Sequence, residues 1–181
     1  SITSHEGEGG VSSYDPQSKL LNIVTEEGAP PCYVAVDDNR QLVYGANYHK
    51  GEVNTYAIQN DGSLKAVASI IHTEPTGPHK NQDHAHAHYS DLTPDQRLVV
   101  CDLGTDRIYT YDVAETGEIE EVAVYVAEPG TGPRHLVFHP NKALAYLFGE
   151  LDSSVSVLEY DKTDGSFTQK QKVSTLPADF D

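Results

Sequence analysis

The sequence predicts an all-β fold, a β-propeller built from four-stranded antiparallel blades. Short segments rich in Val, Tyr and Leu alternate with turn residues along the chain, and none shows a sustained helical period. A tyrosine-and-turn motif occurs four times, and its tyrosines are separated by 42, 55 and 49 residues. A repeat of about 40–50 residues with four strands in each copy is typical of propeller blades.

Eight segments carry the strand pattern most clearly, and turn residues separate them. In chain order they are 32–37, 41–48, 52–58, 97–103, 107–113, 135–139, 144–151 and 154–160. The segment 72–87 is rich in Pro, Gly and polar residues, which predicts a long loop rather than a strand.

Two repeated motifs set the order of these strands. The first is a strand ending near Tyr, an acidic turn and a hydrophobic residue, and it predicts a hairpin on Asp-Gly or Thr-Gly. Its copies lie at 56–64, 111–119 and 160–167, with a degenerate copy at 14–20. The second motif is a short strand, a tight turn and another strand, at 31–48, 87–104 and 134–151.

Together the motifs fill about three and a half blades, whereas propellers close with about four to eight. We therefore expect residues 1–181 to form a single partial propeller domain, with further blades in the parent chain at both ends. Open blade edges can pair with other strands, so self-association is also expected if the chain is on its own.

The net charge is −16, from 12 basic and 28 acidic residues. Such a surface repels nucleic acid and anionic membranes, so we expect neither as a partner. No apolar run reaches the roughly 18–20 residues that cross a bilayer. The two cysteines, Cys32 and Cys101, do not make a disulfide framework, which favours a cytoplasmic location.

The second motif also predicts where a functional site lies, because equivalent positions of successive blades converge on the central channel. Six residues before the turn of each copy stand Cys32, His88 and Arg134, where a repeated core position would hold aliphatic residues. At the other end of the inner strand pair lie Asp102 and Glu150.

Three histidines, His84, His86 and His88, alternate along the chain and would share one face of a strand. They could bind a metal, line the channel or lie in a solvated loop. No Cys pair or carboxylate stands at a recognised ligand spacing, so we expect no metal, with His86 and His88 lining the channel. The other histidines expected at the surface are His5, His49, His72 and His79.

Four segments, "GAPPCYVAVD", "ANYHKGEV", "HAHYSDLTPDQRLVVCDLGTDRIYTY" and "GPRHLVFHPNKALAYLFGELDSSVSV", resemble the seven-bladed propeller lactonase family. This family includes the bacterial propeller-type 6-phosphogluconolactonases and, more distantly, the fungal carboxymuconate cyclases. The similarity extends over essentially all 181 residues in the same order.

The resemblance implies a catalytic site of His88, Arg134 and Glu150, with a further Arg on a later blade that has no counterpart in these 181 residues. Gly149 replaces the Asn that usually precedes the Glu. The resemblance also implies a sugar lactone as the substrate, most specifically 6-phosphogluconolactone. This is an anionic small molecule of carbohydrate metabolism and the pentose phosphate pathway. Neither a redox cofactor nor another cofactor is expected.

The residue types suit lactone hydrolysis. His88 is expected to titrate near neutrality and to serve as general base, while Arg134 holds a carboxylate or the oxyanion. Glu150 could be the base instead, or could orient the imidazole. No G-x-S-x-G segment supports an acyl-enzyme. Residues expected to contact the substrate are His86, Asp102 and Cys32. Positive charge for a phosphate would come from Lys50, Lys80, Arg107 or the Arg of the later blade.

Two alternatives remain at this point. A carboxymuconate-type cycloisomerase could use the same groups for proton transfer at carbon. A non-catalytic propeller that binds a ligand or a protein is equally compatible with the fold. On that alternative Arg134 and Glu150 would only neutralise each other. Whatever the function, Asp102 could stabilise a turn instead of contacting a substrate.

Overall fold

A computed structural model describes residues 1–180. This part of the chain contains fifteen strands and no helix. In chain order the strands are β1 (Ile2–His5), β2 (Glu8–Tyr14), β3 (Leu20–Glu27), β4 (Tyr33–Asp37), β5 (Leu42–Asn47), β6 (Glu52–Ile58), β7 (Leu64–Ile71), β8 (Ala87–Leu92), β9 (Leu98–Asp102), β10 (Arg107–Val113), β11 (Ile119–Val126), β12 (Pro133–Phe138), β13 (Leu144–Gly149), β14 (Ser154–Asp161) and β15 (Ser166–Ser174). Within residues 1–180 there is accordingly no helix that could span a membrane.

The strands form four antiparallel sheets, each a meander in which neighbours in sequence are neighbours in space. We call them blade 1 (β1–β3), blade 2 (β4–β7), blade 3 (β8–β11) and blade 4 (β12–β15). Strands β4, β8 and β12 occupy the same edge of their blades, and β8 contacts both of the others. The all-β prediction and the partial propeller of about three and a half blades are confirmed.

The hydrophobic core lies between the blades. All five residues of β9 are buried, because blade 2 covers one face of the strand and blade 4 covers the other. Leu98 and Val100 pack with Tyr44 of blade 2, whereas the alternate residue Val99 packs with Leu147 of blade 4. The period of two along the strand thus places one apolar set in each interface.

The hairpin turns follow the motif that predicts them. Gly62, Gly117 and Gly165 adopt φ angles of 84°, 97° and 80°, which a residue without a Cβ reaches at no steric cost. In the degenerate first copy Ser18 takes a φ of 64° instead. The turns join β6 to β7, β10 to β11 and β14 to β15, so the Asp-Gly and Thr-Gly hairpins are confirmed.

The expected loop between β7 and β8 is also present, but it is packed against the blades. His72 is only 5% exposed, so its predicted place at the surface is wrong. His84 and His86 precede β8, and the register shifts between Ala87 and Tyr89. The prediction that the three alternating histidines share one strand face is therefore wrong, because only His88 lies in the strand.

Truncating a core side chain between two blades should lower the free energy of unfolding. We expect Leu147→Ala to lower the free energy of unfolding by about 2–5 kcal/mol, because it leaves a cavity between blades 3 and 4. The control Val126→Ala removes a side chain that is 60% exposed and should change this free energy by less than about 0.5 kcal/mol. Urea denaturation of the full-length protein measures both. Equal effects would contradict a core located between the blades.

Candidate active site

The structure brings together the side chains that begin three successive inner strands. The Sγ of Cys32, just before β4, lies 3.4 Å from the backbone oxygen of His88 in β8. The His88 ring lies 5.1 Å from the ring of His135 in β12, measured between centroids. Arg134 precedes His135, and its charge acts on both His88 and Cys32. The repeat positions of blades 2, 3 and 4 therefore meet at one end of the inner strands.

Arg134 and Glu150 form an ion pair through Nη1 and Oε2. The strand register explains the pair, because Pro133 at the start of β12 lies opposite Gly149 at the end of β13. The two side chains keep 39% and 34% of their surface exposed, so both heads remain accessible. A Cβ at Gly149 would lie 2.6 Å from Oδ1 of Asp152, so that side chain would have to move to admit a larger residue.

His88 is half-buried, and within residues 1–180 its Nδ1 is a buried atom without a hydrogen-bond partner. Burial lowers the pKa of His88 to about 4, with further lowering by Arg134 and His135 and an opposing effect of Glu150. The imidazole is therefore neutral at pH 7 and can accept a proton. The expectation that it titrates near neutrality is wrong, because desolvation and the neighbouring guanidinium both disfavour the cation.

Tyr48 completes this group, and sequence reasoning missed it. Its ring meets the His88 ring edge-on at 5.9 Å and stacks on the His86 ring at 4.1 Å. Burial, followed by the charges of Glu150 and Asp83, raises the pKa of Tyr48, so its hydroxyl keeps its proton. The signal available in the sequence was a tyrosine directly after the second strand of blade 2, in "ANYHKGEV".

His86 lies behind Tyr48 rather than beside the other site residues. It is 4% exposed, and both ring nitrogens have partners, the backbone oxygen of Tyr48 at 2.8 Å and Oδ1 of Asp83 at 2.9 Å. The structure does not place its ring where a substrate could reach it from the side of His88. The predicted substrate contact of His86 is therefore not supported, because its ring is buried behind Tyr48.

Asp102 is fully buried and stabilises the loop before β8. Its carboxylate lies 2.6 Å from Nδ1 of His72 and accepts hydrogen bonds from the backbone N–H of His86 at 2.9 Å and Thr105 at 3.0 Å. Burial alone would raise the pKa of Asp102, but the bond and charge of His72 and the two N–H groups outweigh it and lower the pKa. The predicted substrate contact of Asp102 is not supported, because no surface of the residue is accessible.

Cys32 is exposed at the site, and its thiol donates weakly to backbone oxygens. Partial burial raises the pKa of the Cys32 thiol despite the opposing charge of Arg134, so the sulfur is protonated at neutral pH. It therefore offers a small polar surface and not a thiolate nucleophile.

Two further basic residues are engaged elsewhere. Lys50 binds Glu26 at 3.1 Å and Glu52 at 2.7 Å, and Arg107 donates to the backbone oxygens of Pro75 and Thr105. The expectation that Lys50 or Arg107 would serve a phosphate is therefore not supported.

A protein family model described as "Lactonase, 7-bladed beta-propeller" matches residues 1–181. The chain belongs to the seven-bladed propeller lactonase family. This membership confirms the resemblance carried by the four sequence segments.

Relatives in the lactonase family include a 6-phosphogluconolactonase of Bacillus subtilis (strain 168), 41% identical over 99% of this chain and 53% of that protein. The crystal structure of a protein from Lactobacillus plantarum is 46% identical with a TM-score of 0.96, over 99% of this chain and 53% of the other. A periplasmic gluconolactonase of Pseudomonas aeruginosa is 26% identical with a TM-score of 0.84, over 98% and 53% of the two chains. The chain thus spans about half the length of the relatives it matches.

The role of Asp102 can be tested through stability. We expect Asp102→Ala to lower the free energy of unfolding by about 3–5 kcal/mol, because it leaves His72 and two backbone N–H groups buried without their acceptor. Asp38→Ala, at an exposed turn position, is the control and should be nearly neutral. Chemical denaturation of the full-length variants measures the difference. An Asp102→Ala variant as stable as the control would rule out this positioning role.

Proposed function

We propose that the protein hydrolyses a sugar lactone, most specifically 6-phosphogluconolactone to 6-phosphogluconate, at the site of His88, Arg134 and Glu150. The observation that carries the proposal is the neutral imidazole of His88 beside the guanidinium of Arg134, in a member of a lactonase family. The choice of substrate rests on the name of the Bacillus subtilis relative, which is 41% identical. Because the chain spans about half of such relatives, the activity is proposed for the complete protein.

The proposed reaction is a general-base hydrolysis. A water molecule attacks the lactone carbonyl carbon while the His88 imidazole accepts its proton. The carbonyl π electrons move onto oxygen, and the resulting oxyanion is stabilised by an N–H of Arg134. When the tetrahedral intermediate collapses, the ring C–O bond breaks and the leaving oxygen takes the proton from the imidazolium. The products are a carboxylic acid and a hydroxyl group, with His88 neutral again.

The ion pair is compatible with this role because Glu150 contacts only Nη1 of Arg134. A guanidinium has five N–H donors in a fixed plane, so other N–H groups can face a substrate oxygen while the pair is intact. Glu150 then orients the guanidinium of Arg134 and compensates part of its positive charge. Since the Glu150 carboxylate is engaged with Arg134, the neutral imidazole is the better candidate for the base.

Binding of an anionic substrate should also raise the pKa of His88, the proposed base. The charge of Arg134 is one cause of the low pKa of His88, after burial. A substrate anion beside Arg134 compensates that charge, which raises the pKa of His88 towards its usual value and makes the imidazole a stronger base. Substrate binding and proton acceptance are thus coupled through Arg134.

A cytoplasmic location is part of the proposal. Cys32 and Cys101 are both free, as expected for a protein of a reducing compartment. One structurally similar gluconolactonase is periplasmic, so cell fractionation of the source organism decides between the two locations.

Removing the base should reduce turnover strongly. In the full-length protein we expect His88→Ala to lower kcat for 6-phosphogluconolactone by about 10²–10⁴-fold, the usual contribution of a general base. Glu150→Ala should lower kcat/KM as well, because it leaves the Arg134 fork without its partner. His5→Ala, a surface histidine in blade 1 whose side chain is 59% exposed, is the matched control. Rates corrected for spontaneous ring opening that are unchanged in both site variants would refute the site.

The pH dependence provides a second test. A base with a folded pKa of about 4 is fully deprotonated above about pH 5, so the acid limb of kcat/KM, which reports the free enzyme, should lie near pH 4. The acid limb of kcat, which reports the substrate complex, should lie at higher pH because the substrate compensates Arg134. A kcat/KM limb near 6.5, the ordinary value for His, would contradict the buried imidazole.

One observation favours a binding role without catalysis: Arg134 and Glu150 are paired with each other. The assay above separates the two functions. Saturable binding of 6-phosphogluconate to the full-length protein, with no acceleration of lactone opening, would establish the binding role. A cycloisomerase would instead form a lactone from a diene diacid in the same preparation.

A further inference from the structure

We propose that Asp83, His84 and His86 form a binding site for a divalent transition-metal ion of the zinc type. The three residues end the loop between β7 and β8, and one potential ligand atom from each lies within 4.8 Å of the other two. The three ligands are not among the proposed catalytic residues His88, Arg134 and Glu150, although the expectation from the sequence was that no metal binds here. Asp83 is adjacent to His84 in the sequence and does not stand at a familiar ligand spacing.

The hydrogen bonds of the two imidazoles define where their lone pairs point. Nδ1 of His86 lies 2.8 Å from the backbone oxygen of Tyr48, and Nε2 of His84 lies 3.1 Å from the backbone oxygen of His49. A carbonyl oxygen can only accept, so each of these nitrogens carries the proton of its ring. The remaining nitrogens, Nε2 of His86 and Nδ1 of His84, both face Oδ1 of Asp83, at 2.9 and 3.1 Å.

This arrangement suits a metal cation. With one proton on each ring, both lone pairs are directed at the same carboxylate oxygen, and the ring centroids are only 4.0 Å apart. A single divalent ion accepts both nitrogen lone pairs and one carboxylate oxygen, and the backbone carbonyls then provide the outer partners that metal-binding histidines usually have.

The two nitrogen–oxygen distances agree with this interpretation, and the two ligand nitrogens lie within 4.8 Å of each other. Zinc binds imidazole nitrogen and carboxylate oxygen at about 2.0–2.2 Å, so its ligands in a tetrahedron are separated by about 3.3 Å. The two separations of 2.9 and 3.1 Å need to widen by only a few tenths of an ångström. Two imidazoles and one carboxylate match the ligand types that zinc accepts, and a water molecule can complete the tetrahedron because Asp83 and His84 are exposed.

The backbone that carries the ligands is held firmly. A Cβ at Gly104 would lie 1.9 Å from the backbone oxygen of His84, and a Cβ at Gly51 would lie 2.5 Å from the Cβ of Ala85. The segment between His84 and His86 therefore packs against two turns, at Gly51 and Gly104, where a residue with a Cβ would clash. The N–H of His86 also donates to Asp102 at 2.9 Å. Because this backbone is already ordered, ion binding costs little conformational entropy, which favours affinity.

The experiment is zinc binding by the full-length protein without an affinity tag, measured by isothermal titration calorimetry with zinc chloride. We expect one ion bound for each chain through this site, and affinity at least about tenfold weaker in Asp83→Ala and in His84→Ala. Both residues are exposed and outside the proposed catalytic group, so these variants should keep the fold and the lactonase rate. His5→Ala and Asp38→Ala remove one exposed imidazole and one exposed carboxylate elsewhere and are the matched controls.

A second readout does not depend on the heat signal. Zinc should raise the melting temperature of the wild type and of both controls, but not that of the Asp83→Ala and His84→Ala variants. No zinc binding by the wild type would overturn the proposal. Binding that is unchanged in either ligand variant would overturn it as well, because the ion would then be held by other residues.

Discussion

The candidate site depends on two buried carboxylates in blade 3, one at each end of the turn from β9 to β10. Asp102 accepts the backbone N–H of His86, two residues before His88. Asp106 accepts the N–H groups of the two glycines that precede Arg134, both at 2.8 Å. Each carboxylate therefore determines where the chain begins an inner strand, one in its own blade and one in the next. The imidazole and the guanidinium are positioned by one turn, although 46 residues separate them in the sequence.

The sequence predicts the middle strands β5 and β9 well because every residue in them is buried and they read as apolar runs. The outer strands β3, β7, β11 and β15 alternate exposed and half-buried residues and include Lys, Glu and Gln, so the repeat length indicates them better than local pattern does. Comparison of equivalent positions in the repeats identifies Cys32, His88 and Arg134. It could not find Tyr48, or show that Asp102 is turned inwards, because both depend on the loop that packs between blades.

Two histidines in one segment have opposite chemical environments. Both nitrogens of His86 have partners, and its ring is covered by Tyr48. His88, two residues later, has a buried Nδ1 without a partner and a pKa lowered to about 4. The irregular pairing at the start of β8 separates the two rings, which a regular strand would have placed on one face. One imidazole is therefore suited to hold a cation and the other to accept a proton.

The charge of the whole chain does not decide which ligand binds at the channel. A net charge of −16 repels anions at long range, but the Debye length in physiological salt is only about 8 Å. The groups whose charges act on His88 are Arg134, His135 and Glu150. Glu150 compensates one edge of the Arg134 fork, so an approaching anion meets a guanidinium that is already oriented and still has free donors. Discrimination among ligands at this site therefore depends on short-range geometry rather than on the net charge of the chain.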